Sequence, residues 1–120
     1  MQSEFLTSLI TEDLGNDLNR LVQPLRFKSA KYGILEAPEG FVTNFMSVPR
    51  FPAFVFAWLG DRYKSAGAIH DYLYQFKILS RAASDYVLRE AMGALGASTT
   101  EINACWMAVR IGGWSRYGIK

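Results

Sequence analysis

One stretch decides the C-terminal half of the fold: KSAGAIHDYLYQFKILSRAASDYVLREAM, residues Lys64 to Met92. It predicts two helices folded back on each other, and it contains the only histidine of the 120-residue chain, His70. In an antiparallel helix pair, residues equidistant from the turn face each other. The midpoint of His70 and Asp85 falls at the turn, beside Lys77 and Ile78. An imidazole and a carboxylate are therefore expected to meet across this hairpin.

Capping signals predict where three helices begin and end. The first helix is expected from about Arg62 to Phe76. Ser80 is a good N-cap for a second helix, from about Arg81 to Leu95, because its hydroxyl can accept a hydrogen bond from a free amide of the first turn. Ser98 begins a Ser-x-x-Glu capping box and opens a third helix, Thr99 to about Ile111.

The N-terminal part of the chain has a different pattern. Four apolar residues recur at helical spacing and predict a short amphipathic helix within residues 1–19: Phe5, Leu6, Leu9 and Ile10. From Leu21 to Asn44, short extended runs separated by turn residues predict a small antiparallel hairpin or meander. Its central turn is predicted at Ala37-Pro38-Glu39-Gly40, with Ile34/Leu35 and Phe41/Val42 as the flanking strands.

Residues 46–61 contain Pro49 and Pro52, which exclude a regular helix, so a shaped loop is predicted there. The predicted architecture is α+β: residues 1–45 mainly extended, the proline-containing loop at 46–61, and a helical part at 62–120. A chain of 120 residues can bury one real core, and half of these residues are apolar. A single domain spanning residues 1–120 is therefore predicted.

Composition excludes several classes of function. The net charge of +2 gives no strong field, so nucleic-acid binding is not expected. The single cysteine, Cys105, rules out an intramolecular disulfide and fits a reducing compartment. The longest apolar run, Phe51 to Leu59, is far shorter than the roughly 20 residues of a membrane span. We therefore expect a soluble protein without a transmembrane segment or an export signal.

The hairpin residues suggest a definite chemistry. His70 and Tyr74 are four residues apart and share a helix face, whereas Asp71 is rotated by about 100°. A carboxylate at Asp85 would accept one ring N–H of His70 and leave the other nitrogen free to take a proton from water. Tyr74 would hold that carboxylate. Arg110 is expected to bridge to Asp71 or Asp85 in a structural role.

Asp71, directed away from this pair, could bind a hard cation, with loop oxygens completing the shell. The loop after the predicted sheet supplies candidate oxygens at Thr43, Asn44 and Ser47. The same residues also allow a plainer interpretation: a lone histidine on a helix is often structural, and Asp85 could pair with Arg89 on the surface.

Other hydrolytic chemistries fit less well. One histidine excludes a multi-histidine HD-type phosphohydrolase, and the chain lacks the second histidine or the cysteine pair that a zinc site requires. A Ser-His-Asp hydrolase could use Ser47 or Ser65, but neither serine lies in a nucleophile-elbow sequence. Activation of water by His70 is the better prediction.

The His-Asp-x-x-Tyr motif at residues 70–74, followed by a second helix with an aspartate, resembles the catalytic hairpin of the phospholipase A2 class. That resemblance covers about 25 residues. It implies that His70 is the general base, that Asp71 holds calcium, and that Asp85 orients the histidine with support from Tyr74. The disulfides of the class and its glycine-rich calcium loop are missing here.

A longer resemblance runs from Glu39 to Trp114. GFVTNFMSVPR, AIHDYLY, RAASDYVLREAM and WMAVRIGGW follow one another in the order seen in a phage and prophage family of unknown function. The family pattern is Gly-Phe-x-Thr-Asp-x-x-Ser-Val-Pro, His-Asp-x-Leu-Tyr, Ala-Asp and Val-Arg. This chain departs from it at Asn44, where the family usually has aspartate. The resemblance implies a bacteriophage origin and no settled activity.

Two hypotheses of function follow. The first is a hydrolase that attacks ester bonds of host envelope lipids through the His-Asp pair. The second is a non-catalytic virion component, such as a tail, neck or baseplate accessory or assembly protein. Its His-Asp-Tyr network would be structural, and its partners would be other phage virion proteins or further copies of the chain. In both, the protein is made in the host cytoplasm, with incorporation into the virion as one destination.

Overall fold

The computed structural model describes residues 2–45 and 61–112. Antiparallel strands come first and helices follow, which confirms the predicted α+β class. The elements are β1 Glu4–Phe5, β2 Thr11–Gly15, β3 Leu18–Leu21, β4 Leu25–Ser29, β5 Gly33–Ala37, β6 Val42–Thr43, α1 Lys64–Phe76, α2 Arg81–Ala94 and α3 Thr99–Gly112. The predicted proline-containing loop, apart from its last residue, and the predicted helical part after residue 112 lie outside the described residues.

The strands form two antiparallel sheets of three strands each, with the orders β1-β4-β5 and β2-β3-β6. Strands β4 and β5 pair along their full length, from Leu25 opposite Ala37 to Ser29 opposite Gly33. Side chains of a strand alternate between its two faces, and in β4 this alternation buries Leu25, Phe27 and Ser29. The buried face packs against α1 and α2.

The predicted N-terminal amphipathic helix is wrong, because this segment is extended. Burial alternates residue by residue from Ser3 to Thr11, which is the period of a strand and not of a helix. Phe5 pairs with Phe27 of β4, and their ring centroids are 4.7 Å apart. Apolar residues at positions 5, 6, 9 and 10 match the period of a helix, but pairing with β4 keeps the segment extended. Phe5 and Leu9 then face inward, and Leu6 and Ile10 are exposed.

The predicted pairing across the Ala37–Gly40 turn is also wrong, although the turn itself is present. The amide of Phe41 donates to the carbonyl of Pro38 at 3.1 Å, and Gly40 has φ +91°, which glycine adopts without steric cost. The strands on either side of this turn belong to different sheets. Strand β5 pairs with β4, whereas β6 pairs with β3.

The ends of the helices agree with the capping signals. The Ser80 hydroxyl accepts from the amide of Ala83 at 3.1 Å and starts α2. Beyond the other end of α2, Gly96 has φ +87° and its amide donates to the carbonyl of Gly93. The capping box is complete in both directions, because the Ser98 hydroxyl accepts from the amide of Glu101 and the Glu101 carboxylate accepts from the amide of Ser98.

The core lies between the sheets and the helices. Strands contribute Leu21, Leu25 and Phe27, and α1 and α2 contribute apolar side chains that include Ile69 and Leu88. Helix α3 packs on α2 and adds Cys105 and Val109. Burial raises the pKa of the Cys105 thiol to about 12, so this cysteine is a protonated core residue. In the part of the chain that the structure describes, no helix is long and apolar enough to cross a membrane.

Candidate functional site

The α1–α2 hairpin brings His70 and Asp85 together, as its register predicts. Lys77 ends α1 in the left-handed conformation, with φ 50°, and its amide donates to the carbonyl of Leu73. The reversal of the chain places His70 Nε2 2.8 Å from Asp85 Oδ1. His70 is 3% exposed and Asp85 is fully buried. The pair is therefore a buried interaction inside the helical layer, not a surface contact.

Tyr74, one turn after His70, binds the same carboxylate. Its hydroxyl donates a short hydrogen bond to Asp85 Oδ1, and its ring lies against the imidazole with centroids 4.2 Å apart. Burial raises the pKa of Tyr74, and the hydrogen bond and negative charge of Asp85 raise it further. The tyrosine is therefore a protonated donor at neutral pH.

Arg110, near the end of α3, binds the other oxygen of the same carboxylate. Its Nη1 lies 2.9 Å from Asp85 Oδ2, and about a third of its side chain is exposed. Of the two carboxylates predicted for Arg110, the structure selects Asp85. The alternative surface pair of Asp85 with Arg89 does not form, because Arg89 donates to Asn103 of α3 instead.

The surroundings of Asp85 determine its charge. Burial raises the pKa of this carboxyl, but hydrogen bonds from His70, Tyr74 and Arg110 outweigh it and hold the pKa below its ordinary value. An ionised carboxylate has no proton to donate, so the hydrogen between the pair belongs to His70 Nε2. Nδ1 is then the basic nitrogen of the ring. Within residues 2–45 and 61–112, no group forms a hydrogen bond with Nδ1.

Asp71 is next to His70 in sequence but belongs to a separate cluster. Its Oδ2 accepts from the Thr43 hydroxyl at 2.6 Å, and its Oδ1 accepts from Gln75 Nε2 at 3.1 Å. Asp71 is 6% exposed and Thr43 is 1% exposed. The Thr43 hydroxyl also accepts from the amide of Phe45, which has φ 61°. This cluster therefore joins β6 to α1 and shapes the chain that follows β6.

The predicted loop residues have different outcomes. Thr43 lies beside the helix hairpin, where its hydroxyl donates to Asp71. Asn44 follows it in the chain and takes part in an interaction of its own. Ser47 lies outside the described residues.

A calcium ion takes six to eight oxygen ligands, and the oxygen donors around Asp71 can be compared with that number. Among residues 2–45 and 61–112, no three His, Cys, Asp or Glu side chains are grouped so that they could hold a metal. The Asp71 cluster offers one carboxylate and one threonine hydroxyl, and both carboxylate oxygens already accept hydrogen bonds. These donors do not make up a calcium shell. Calcium at Asp71 stays a prediction.

Sequence reasoning missed two residues of the site. Gln75 lies four residues after Asp71, and this helical spacing brings an amide to a carboxylate, so the signal was available. Arg81 begins α2, and its Nη2 donates to the backbone carbonyls of Val109 and Arg110 in α3. No spacing rule relates Arg81 to these carbonyls, because the contact depends on how α3 packs on α2.

The fold and the site define a small α+β protein with a His–Asp–Tyr–Arg cluster buried between three helices. Residues 19–109 match the model of a family described as "Protein of unknown function (DUF1353)", and the chain belongs to that family. The matched range includes His70, Asp71, Tyr74 and Asp85 and ends one residue before Arg110. No curated protein and no solved structure matches the chain.

Proposed function

We propose that this protein is a hydrolase in which His70 activates a water molecule for attack on an ester. One observation carries the proposal: Nε2 of His70 lies 2.8 Å from a carboxylate that is held ionised, so the ring proton is fixed on Nε2 and the lone pair is fixed on Nδ1. A neutral imidazole with a fixed tautomer is the usual form of a general base in a hydrolase.

The reaction follows from this tautomer. Nδ1 of His70 takes a proton from water while the water oxygen forms a bond to the ester carbonyl carbon. The tetrahedral intermediate collapses, the bond to the alcohol breaks, and the proton on Nδ1 passes to the leaving alkoxide. Asp85 remains ionised throughout and stabilises the transient imidazolium through Nε2. Tyr74 and Arg110 keep the carboxylate in place by donating to its two oxygens.

Envelope phospholipid is the proposed substrate class. Two resemblances support it: the His-Asp-x-x-Tyr hairpin of the phospholipase A2 class, and the sequence pattern of a phage and prophage family. The geometry of His70, Asp85 and Tyr74 is compatible with the roles that the first resemblance implies. A phage protein made in the host cytoplasm, free or incorporated in the virion, would meet such lipids during entry or lysis.

A specific observation favours a second candidate function. Asp85 has no exposed surface, its two oxygens accept three hydrogen bonds, and His70 is almost completely buried. A polar network satisfied in this way can serve to fix the packing of three helices without any chemistry. The protein would then be a virion component, such as a tail, neck or baseplate accessory, with other phage proteins as partners.

Replacement of His70 by glutamine separates the two candidates. In His70→Gln the side-chain amide can still donate to Asp85 Oδ1, but no basic nitrogen remains. The assay is the release of free fatty acid from vesicles of phosphatidylethanolamine and phosphatidylglycerol. Catalysis requires that wild-type protein releases fatty acid, that His70→Gln does not, and that both melt at similar temperatures. No release by wild-type protein, with a lower melting temperature for His70→Gln, would establish the structural candidate instead.

A further inference from the structure

The two oxygens of the Asp85 carboxylate are used unequally. Oδ1 accepts from both His70 and Tyr74, whereas Oδ2 accepts from Arg110. The Asp85 carboxylate can turn about its Cβ–Cγ bond. The two donors on α1 bind the same oxygen, so they do not by themselves fix its orientation. The Arg110 guanidinium donates to the other oxygen, Oδ2, and this third hydrogen bond fixes the plane of the carboxylate.

Arg110 is itself held in place by α2. The Arg81 guanidinium donates to the backbone carbonyls of Val109 and Arg110, which lie in the last turn of α3, where carbonyls lack partners within the helix. The positive charge of Arg81 also opposes part of the rise in the pKa of Tyr74. The contacts thus form a chain that runs from Arg81 to the end of α3, through Arg110 to Asp85, and on to Tyr74.

We propose that Arg110 is a positioning residue for His70, so that α3 contributes to the geometry of the site. Arg110 orients Asp85, and Asp85 in turn holds the His70 ring with its proton on Nε2 and its lone pair on Nδ1. This inference rests on the proposed hydrolase function for its kinetic consequence. Its structural consequence, the orientation and tautomer of His70, can be measured whether or not the protein is a hydrolase.

Geometry distinguishes this role from that of a general surface charge. The Arg110 side chain is about one third exposed, but the atom it binds is fully buried, so the ion pair is shielded from water at the carboxylate. Replacing Arg110 by glutamine leaves Oδ2 with a weaker neutral donor or with none. The carboxylate is then free to turn, and the proton shared with His70 is no longer held to one ring nitrogen.

A second arginine provides a matched control. Arg89 also projects from one of these helices to the other, donating to Asn103 at 3.1 Å, but it does not touch Asp85. Arg89 further lies over the ring of Trp106, 5.4 Å from its centroid. Arg89→Gln therefore removes an α2–α3 contact and a positive charge while the His70 cluster remains intact.

The experiment compares wild type, Arg110→Gln, Arg110→Lys and Arg89→Gln. Because the chain has one histidine, the ring ¹⁵N resonances report on His70 without assignment ambiguity. At a pH where the ring is neutral, wild type and Arg89→Gln should show the tautomer protonated at Nε2, and Arg110→Gln should show a mixture of the two tautomers. We expect kcat for ester hydrolysis to fall about tenfold or more in Arg110→Gln with little change in KM. Arg110→Lys should restore part of both readouts.

The outcomes separate the two proposals. If wild-type protein has no hydrolase activity, the tautomer measurement still decides whether Arg110 positions His70. An Arg110→Gln ring spectrum equal to that of wild type, or a loss of kcat no larger than that of Arg89→Gln, would overturn the positioning role. Should Arg110→Gln not fold, Arg110→Lys decides, since a wild-type tautomer and wild-type kcat in that variant would show that guanidinium geometry is not required.

Discussion

The hydroxyl of Thr43 lies 2.6 Å from Oδ2 of Asp71 and joins the last described residues of the β region to the first helix. Both residues are buried, and the same hydroxyl accepts the amide of Phe45. One oxygen atom therefore links a carboxylate on α1 to a backbone amide that follows β6. This link fixes the start of the chain that leaves the sheet beside the His70 helix.

The first prediction concerns this hydroxyl. Thr43→Val keeps the shape of the side chain but removes both hydrogen bonds, which leaves the buried Asp71 oxygen and the Phe45 amide without this partner. We expect the free energy of unfolding to fall by about 1–3 kcal/mol. Thr43→Ser retains the hydroxyl and should lose less. Urea denaturation measures both values, and equal stability of the two variants would show that the hydroxyl has no such role.

The second prediction tests calcium at Asp71. A bound ion stabilises the folded state, so the calcium hypothesis requires that millimolar calcium raises the melting temperature of wild-type protein. Asp71→Asn should lose this response, whereas Asp61→Asn, on the segment before α1, should keep it. Melting curves in calcium, in magnesium and in a chelator make the comparison. Identical curves for wild type in calcium and in the chelator would contradict the hypothesis.

The helical half of the fold could be predicted because its signals are local. Ser80 and Ser98 are caps that depend on residues within one turn, and the structure bears out both. The meeting of His70 with Asp85 follows from the same locality, since a short turn between two helices leaves little freedom of register. Family membership also depended on ordered sequence patterns, and the family match supports it.

The N-terminal half was harder to predict because strand partners are chosen by distant residues. Phe5 and Leu9 fit a helix or a strand equally well, and pairing with β4 decides between them. One local signal in this half does indicate a hairpin: Gly15-Asn16-Asp17. Asn16 and Asp17 both have positive φ, 55° and 62°, as a two-residue hairpin turn requires, and asparagine and aspartate tolerate this conformation.

Side-chain contacts between α3 and the other helices could not be predicted from the sequence. The sequence left the partner of Arg110 undecided between two aspartates, and only the packing of α3 on α2 selects Asp85. Arg81 shows the same limit more strongly, because its acceptors are backbone carbonyls of α3 that have no sequence signature.

The third prediction is a pH dependence that originates at Asp85. The folded state holds the pKa of this carboxyl below its ordinary value, so folding favours the ionised form. The resulting stabilisation is fully present above the unfolded pKa of about 3.9 and is lost as the pH falls through the lower folded value. Stability should therefore decline below about pH 4, and Asp85→Asn should decline less steeply there.

Urea titrations at a series of pH values measure this slope. Asp85→Asn should also be less stable than wild type near neutral pH, because the charged donor Arg110 then faces a neutral amide. Asp17→Asn, on the exposed β2–β3 turn, is the control and should follow the wild-type curve. Parallel curves for wild type and Asp85→Asn in the acid range would exclude Asp85 as the source of the dependence.

The last prediction separates the Tyr74 hydroxyl from the Tyr74 ring. Tyr74→Phe keeps the ring that packs on the imidazole and removes the donor to Asp85 Oδ1. A hydrogen bond to a charged acceptor contributes about 1.5–3 kcal/mol, so the free energy of unfolding should fall by an amount near that range. Since His70 still donates to the same oxygen, the tautomer should persist, and a catalytic His70 should retain much of its rate.

Tyr72→Phe is the matched control, because that residue packs through its ring against Phe41 and Phe76. If both tyrosine variants lose the same stability in urea denaturation, the loss does not come from the Asp85 hydrogen bond. If Tyr74→Phe instead abolishes hydrolysis while remaining folded, the hydroxyl takes part in the reaction itself, and the assignment of Tyr74 as a support for the carboxylate is wrong.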